Sequence, residues 1–217
     1  GEPVQAGLRA SLAVLMNLTH SNPEGAQTVA ECGLCECTTE LLDSMCRCPG
    51  SGAGREWLVA GLDVISIALG LLINLAEGVE DNKRRILAWD GGILELLVHI
   101  MELSAQKSTC GTSGDGSGGA DEVTADDLEI DEAEGEASIV EVYAAMLLGF
   151  LVEGDPKLRQ RAAALLPGGS LQPVVSAVER CLEFYIRADA ITDSTSAKLK
   201  KLLASLKGTA TSATSKP

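Results

Sequence analysis

The sequence predicts an all-α protein in which one helical unit recurs and stacks on its neighbours as an α-solenoid. Three observations carry this. Hydrophobic residues make up 46% of the 217 positions but aromatics only 3%, so the core must be built from Leu, Ala, Val and Ile, which suits helices packed on helices better than a β-sandwich. Apolar residues recur at three- and four-residue spacing, the period of one helix face. One pattern also returns. Leu15-Met16-Asn17-Leu18 aligns with Leu72-Ile73-Asn74-Leu75 at an offset of 57 residues, and Leu147-Leu148-Gly149-Phe150-Leu151 with Leu71-Leu72-Ile73-Asn74-Leu75 at an offset of 76. A polar break and a short helix follow each copy. One such unit cannot bury its own apolar face, so the copies must stack.

The elements follow in order. Leu8, Leu12, Leu15 and Met16 mark the face of a first helix. Asn22-Pro23 stops it, because proline disfavours the α conformation in the residue before it. Pro23 then suits the first turn of a short helix over 23–32, with Asn22 as its N-cap. Residues 33–56 are dense in Cys, Gly, Ser and Pro and read as a loop, with a helical turn or two over 38–45. A long helix is predicted over about 57–77, ended by Gly78, then a short one over 81–90 and another over 91–107 behind Gly91-Gly92. Residues 108–136 turn Gly/Ser-rich and then acidic, which predicts a disordered insertion. A third long helix begins near Ser138 and breaks at Gly154-Asp155-Pro156. A short basic helix then runs to Pro167-Gly168-Gly169, and two more helices follow over 170–189 and 196–207. The Ser/Thr/Ala-rich tail, 208–217, is expected to fray. The chain thus divides into helical repeats over 1–107, the insertion at 108–136, and helical repeats over 137–207.

Charge narrows the function. The net charge is −14, which argues against direct binding to the nucleic-acid backbone. Nine of the acids lie in 121–136, a stretch without a base, and setting them aside leaves −5 on the rest. No run reaches the length of a membrane span and no signal-peptide pattern opens the chain.

Few residues suggest chemistry. His20 and His99 stand alone, with no nucleophile and acidic partner at readable spacing. No Lys-Ser/Thr follows Gly91-Gly92 or Gly168-Gly169, so neither is a phosphate loop. An enzyme is therefore not expected, nor a cofactor. The glycosylation sequon at Asn17-Leu18-Thr19 falls inside a packed helix. Asn17 and Asn74 are read as structural, holding the turns that follow them, the cost of a buried amide falling if it bonds backbone of the adjoining turn. Pro23 and Pro156 are structural in the same sense. Cys32, Cys35, Cys37, Cys46 and Cys48 put five thiols in 17 residues. Two readings stand: free thiols in a loop, or a zinc- or redox-responsive module with Cys32, Cys35, Cys46 and Cys48 as ligands. Lys83, Arg84 and Arg85 occupy the short helix of the second unit, and Lys157, Arg159 and Arg161 that of the third. They are either a basic stripe for an acidic partner or a solvated helix face.

Three segments carry a more specific likeness: AVLMNLTHSNPEGAQTVAECG (13–33), IALGLLINLAEGVEDNKRRIL (67–87) and SIVEVYAAMLLGFLVEGDPKLRQRAAALLP (138–167). Their order and content resemble the C-terminal domain of the wings apart-like family of cohesin release factors. There LLNLTxxNxxG is followed by LGLLINLVExxxxNR, an acidic insertion, and SYxALLLGxLxxxxPxNxxxIRxxLP. The likeness spans roughly 8–190. The cysteines of 32–48 and the missing Asn after Pro156 are departures from it.

The resemblance implies an armadillo/HEAT-like right-handed superhelix, and that the chain is the C-terminal lobe of a longer domain. It implies a nuclear, chromatin-associated, non-catalytic regulator of sister-chromatid cohesion. Such a protein would bind the cohesin ring, its SMC ATPase head and kleisin, and HEAT-repeat accessory subunits, and promote release from chromatin, without contacting membrane or nucleic acid. It also implies a cohesin-facing surface at Ile139, with Glu136 and Glu141 flanking as polar rim; burial of Ile139 in the core stays an open alternative. A generic armadillo-type adaptor with another protein client is the second functional reading.

Overall fold

The computed structural model describes residues 2–47, 56–108 and 125–208, and the side chains of 4–47, 61–105 and 138–208. Those residues form ten α-helices and one 3-10 turn, with no strand among them. Helices recur in sets of three. The first set is α1 (Glu2–Thr19), α2 (Pro23–Glu31) and α3 (Leu34–Arg47). The second is α4 (Glu56–Ala76), α5 (Glu80–Leu87) and α6 (Ile93–Ser108). The third is α7 (Ala125–Val152), α8 (Pro156–Leu165) and α9 (Gln172–Arg187), and α10 (Asp193–Lys207) follows.

The break after each long helix is built the same way. Ser21, Gly78 and Gly154, which coincide under the 57- and 76-residue offsets, all have positive φ, at 51°, 75° and 82°. Each reverses the chain so that the short helix starts two residues later. Asn22 caps α2, accepting from the Gly25 amide at 3.0 Å while donating to the Leu18 carbonyl at 2.9 Å. Asp155 caps α8 through the Lys157 and Leu158 amides, at 2.8 and 3.1 Å. Pro23 and Pro156 open those helices, where the missing N–H costs nothing.

Helix α4 lies between α1 and α7, which makes it the centre of the core. Leu62, Ile65, Leu69, Leu71, Leu72 and Leu75 of α4 are fully buried. α6 packs on α7 and α3 on α4, and α9 and α10 close the far side of α7. Leu202 and Leu206 of α10 lie over Gly149 so closely that a Cβ there would meet both at 3.3 Å. Among the described residues no helix is long and apolar enough to cross a membrane.

Two expectations change. Residues 34–47 are helix α3, where a loop with a turn or two was expected. Cys35, Thr39, Leu42 and Cys46 fall at helical spacing and are the buried stripe of that helix. Buried cysteine behaves as a small hydrophobe, so thiols that suggested loop chemistry are packing residues. Second, α7 already begins at Ala125, inside the segment expected to be a disordered insertion. Ala, Leu and Glu are good helix formers, and acids favour the first turns of a helix, where the dipole is positive. Residues 109–124 and the tail from 209 lie outside the described residues.

Candidate functional site

Helix α7 presents two neighbouring faces. Val140, Ala144, Leu147, Leu148 and Leu151 are buried in the core. One residue back around the helix, about 100° away, Ile139, Tyr143, Met146 and Phe150 form a second stripe. Ile139 is 45% exposed. Beyond it the stripe runs into a groove of about 420 Å³ that Tyr143, Met146 and Phe150 line. Met16, Asn17 and His20 of α1 make one wall, Tyr185, the 190–192 connection and Thr195 of α10 the other, and Ile73 and Asn74 of α4 part of the floor. Gly70 of α4 also lines the floor, where Met16 and Tyr143 leave little room for a side chain: a Cβ there would stand 2.9 Å from Met16 Sδ and 3.6 Å from Tyr143 Cε2.

Electrostatics inside the groove favour neutral groups. Burial, then the Tyr185 hydroxyl beside it, push the Tyr143 phenol up to about 12. Burial pushes the Cys181 thiol up to about 11, so it stays a protonated, poorly nucleophilic thiol at neutral pH. At the rim Lys198 Nζ pairs with Glu77 at 2.7 Å.

Asn74 does not hold the turn that follows it but reaches back to the preceding unit. Its side-chain amide donates to the Met16 carbonyl at 2.9 Å and approaches Thr19 Oγ1 at 3.4 Å. The equivalent Asn17 does not: its side chain is exposed on the groove wall and makes no hydrogen bond to a described residue.

The six cations do not form a free basic stripe. Arg159 is only 8% exposed, and its Nη2 donates to the carbonyls of Ser205 and Leu206 at 2.6 and 2.7 Å, capping the end of α10. Lys83, at the equivalent place in the second unit, is equally buried and pairs with Glu80 at 2.8 Å. Arg84 pairs with Asp81, Arg85 lies 3.8 Å from Glu36, and Arg161 pairs with Glu95 at 2.7 Å. Lys157 is exposed and in no ion pair among the described residues. Burial alone would raise the Glu95 carboxyl, but the Arg161 hydrogen bond and charge outweigh it and hold it below its ordinary range. Glu141, expected at the rim of the Ile139 surface, pairs with Arg180 of α9 at 2.9 Å. The Glu136 side chain lies outside those described.

Cys35 and Cys46, two of the four thiols of the zinc reading, are not brought together. They sit on one helix eleven positions apart, about 16 Å along its axis, too far to share an ion. Both are buried, and burial pushes their thiols up to about 11 and about 12. Cys32 and Cys37 are exposed, and Cys48 lies outside the described residues. No cluster of three His, Cys, Asp or Glu suited to a metal occurs among those described.

One structural residue escaped the sequence reading. Asn82, 1% exposed, donates to the carbonyls of Ala26 at 3.2 Å and Leu75 at 3.0 Å, tying the second unit to the first. It does this where α5 has no side-chain N-cap. Its signal lay in the matched motif, whose Asn falls at this position. The continuation of the stripe from Ile139 into the groove, through Tyr143, Met146 and Phe150, was missed as well, although the four are spaced by four, three and four residues.

Comparison with known proteins agrees with the motif order. The chain is 30% identical over a 229-residue alignment, 92% of its length, to wings apart-like protein 2 of Arabidopsis thaliana. It is 28% identical over 213 residues, 87% of its length, to wings apart-like protein 1 of the same plant. It spans about a quarter of each relative, 26% and 23% respectively. No family model matches it. Likeness sustained across nearly the whole of its sequence supports assigning the chain to the wings apart-like family.

Proposed function

We propose that the chain is a non-catalytic interaction module of sister-chromatid cohesion. It works in the nucleus, binds the cohesin ring and its accessory subunits, and promotes release of the ring from chromatin. In this reading its three helix sets stack as an armadillo/HEAT-like right-handed solenoid, and recognition is left to the outer surface of the stack. The observation that carries the proposal is Ile139. The resemblance assigns this position to the cohesin-facing surface, and here the side chain stands exposed beside fully packed Val140 and Ala144. An apolar side chain held outward by a rigid helix is the kind of anchor interfaces use. The internal pairing of Lys83, Arg85, Arg159 and Arg161 moves weight away from a basic stripe and toward this face.

The test is retention of recombinant cohesin on the immobilised chain. The wild-type chain retains it, and Ile139→Asp loses most of that retention while its circular-dichroism melt is unchanged. A folded wild-type chain that retains no cohesin overturns the proposal.

A further inference from the structure

The chain has four Met, two Tyr and two Phe. Met16, Met146, Phe150 and both tyrosines, Tyr143 and Tyr185, meet in the single groove between α1 and α9–α10. Elsewhere the described core is mainly Leu, Ile, Val and Ala, with Cys35, Cys46 and Met101 buried in it and Met45 and Trp89 packed against it. Five of the scarce Met, Tyr and Phe side chains nevertheless share one open cleft, as they do at recognition surfaces, where Met and Tyr are enriched. The second Phe, Phe184, stands 63% exposed, its ring 5.7 Å edge-on from that of Tyr185, and Ile139 marks the open end of the α7 stripe. The apolar surface thus continues out of the cleft at both points.

The polar groups say what would lie there. Asn17 offers a carboxamide, one donor and one acceptor face, on the wall of the groove, and it is not engaged by any described residue. A carboxamide matches the N–H and C=O of a peptide unit. Lys198 is occupied by Glu77 at 2.7 Å. Asp189 and Asp193, either side of the 190–192 rim, are in no ion pair among the described residues. Two such carboxylates beside the groove favour a cationic group there.

We infer that this groove binds an extended peptide segment of another protein, seating one bulky apolar side chain between Met16, Tyr143, Met146 and Phe150. Asn17 pairs with its backbone, and a flanking basic residue lies toward Asp189 and Asp193. The inference goes beyond cohesin binding and does not depend on it.

Four methionines make the test direct. The chain labelled at its methionine methyl carbons is titrated with a terminally blocked heptapeptide pool. The pool has Phe fixed at its centre, Lys beside it and Gly, Ser or Ala elsewhere; a second pool carries Ser at the centre. The Met16 and Met146 methyl signals shift saturably with the Phe pool, while those of Met45 and Met101, outside the groove, stay in place. Asn17→Ala, an exposed substitution, weakens binding about fivefold, the worth of roughly one hydrogen bond. The inference is overturned if neither groove signal moves, if the Ser pool shifts them equally, or if all four move together. It is also overturned if indole alone moves them and the peptides do not, which would mark a small-molecule pocket. Shifts that follow protein concentration without peptide would mark a second copy and overturn it too. Cohesin is absent from this experiment, so its outcome and that of the retention test are separable.

Discussion

Helices α1 and α4 carry nearly the same four residues, Leu-Met-Asn-Leu and Leu-Ile-Asn-Leu, 57 positions apart, and the fold uses them differently. Leu72 and Leu75 of α4 are sealed between α1 and α7, and Asn74 reaches back to bond the Met16 carbonyl at 2.9 Å. In α1 Leu18 is largely exposed, Asn17 faces the groove, and Thr19 is the residue turned inward. The difference lies in the neighbours. A repeated motif fixes the helix, its stop and its cap; whether its amide bonds and its leucines bury depends on whether another helix lies against it.

Paired substitutions would break or sharpen this contrast. The largest effect is in the core: Leu72→Ala should cost about 3 kcal/mol of unfolding free energy, against less than about 0.5 for Leu18→Ala, both read by chemical denaturation. Next comes the helix end that Arg159 holds. Arg159→Ala removes two charge-assisted bonds to the α10 carbonyls and should cost about 2.5 kcal/mol, while exposed Arg84→Ala, which loses only its pair with Asp81, should cost about 0.3. Equal losses would mean that Arg159 acts as a surface charge.

The asparagines come third. Asn82→Ala leaves two carbonyls without their donor in the packed interior and should cost about 2 kcal/mol, Asn74→Ala about 1, and Asn17→Ala close to none. If Asn17→Ala destabilises as much as Asn74→Ala, the assignment of unlike roles to like residues fails. The smallest effect is the Arg161–Glu95 pair. Its carboxyl is held below the ordinary range, so its contribution is present above that range and fades as pH falls through the lowered value. Both partners are partly solvated, which limits the pair to about 0.5 kcal/mol. The melting difference between wild type and Arg161→Gln should therefore be measurable at neutral pH and shrink as the pH falls below the ordinary carboxylate range.

Much of this architecture was legible before any coordinates. The all-α class, the three long helices and the breaks at Asn22-Pro23, Gly78 and Asp155-Pro156 follow from helical spacing and from residues whose backbone preferences are local. What was not legible depends on partners distant in sequence. Cys35 and Cys46 belong to a core stripe because α4 and α6 lie against α3, which composition does not disclose. Arg159 and Lys83 were read as surface charge, yet fold inward onto the α10 carbonyls and Glu80. The groove needs α1, α4, α7 and the α9–α10 connection together, so no single stretch announces it.

Ile139 and Val140 test the whole account in adjacent positions, one side chain turned out and the other 2% exposed in the core. Thermal melts of Ile139→Asp and Val140→Asp, each followed by cohesin retention, compare them directly. The account predicts a wild-type melt with lost retention for Ile139→Asp, and a collapsed melt for Val140→Asp. A collapsed melt for Ile139→Asp, or full retention by it, would contradict the placing of recognition on the outer face of α7.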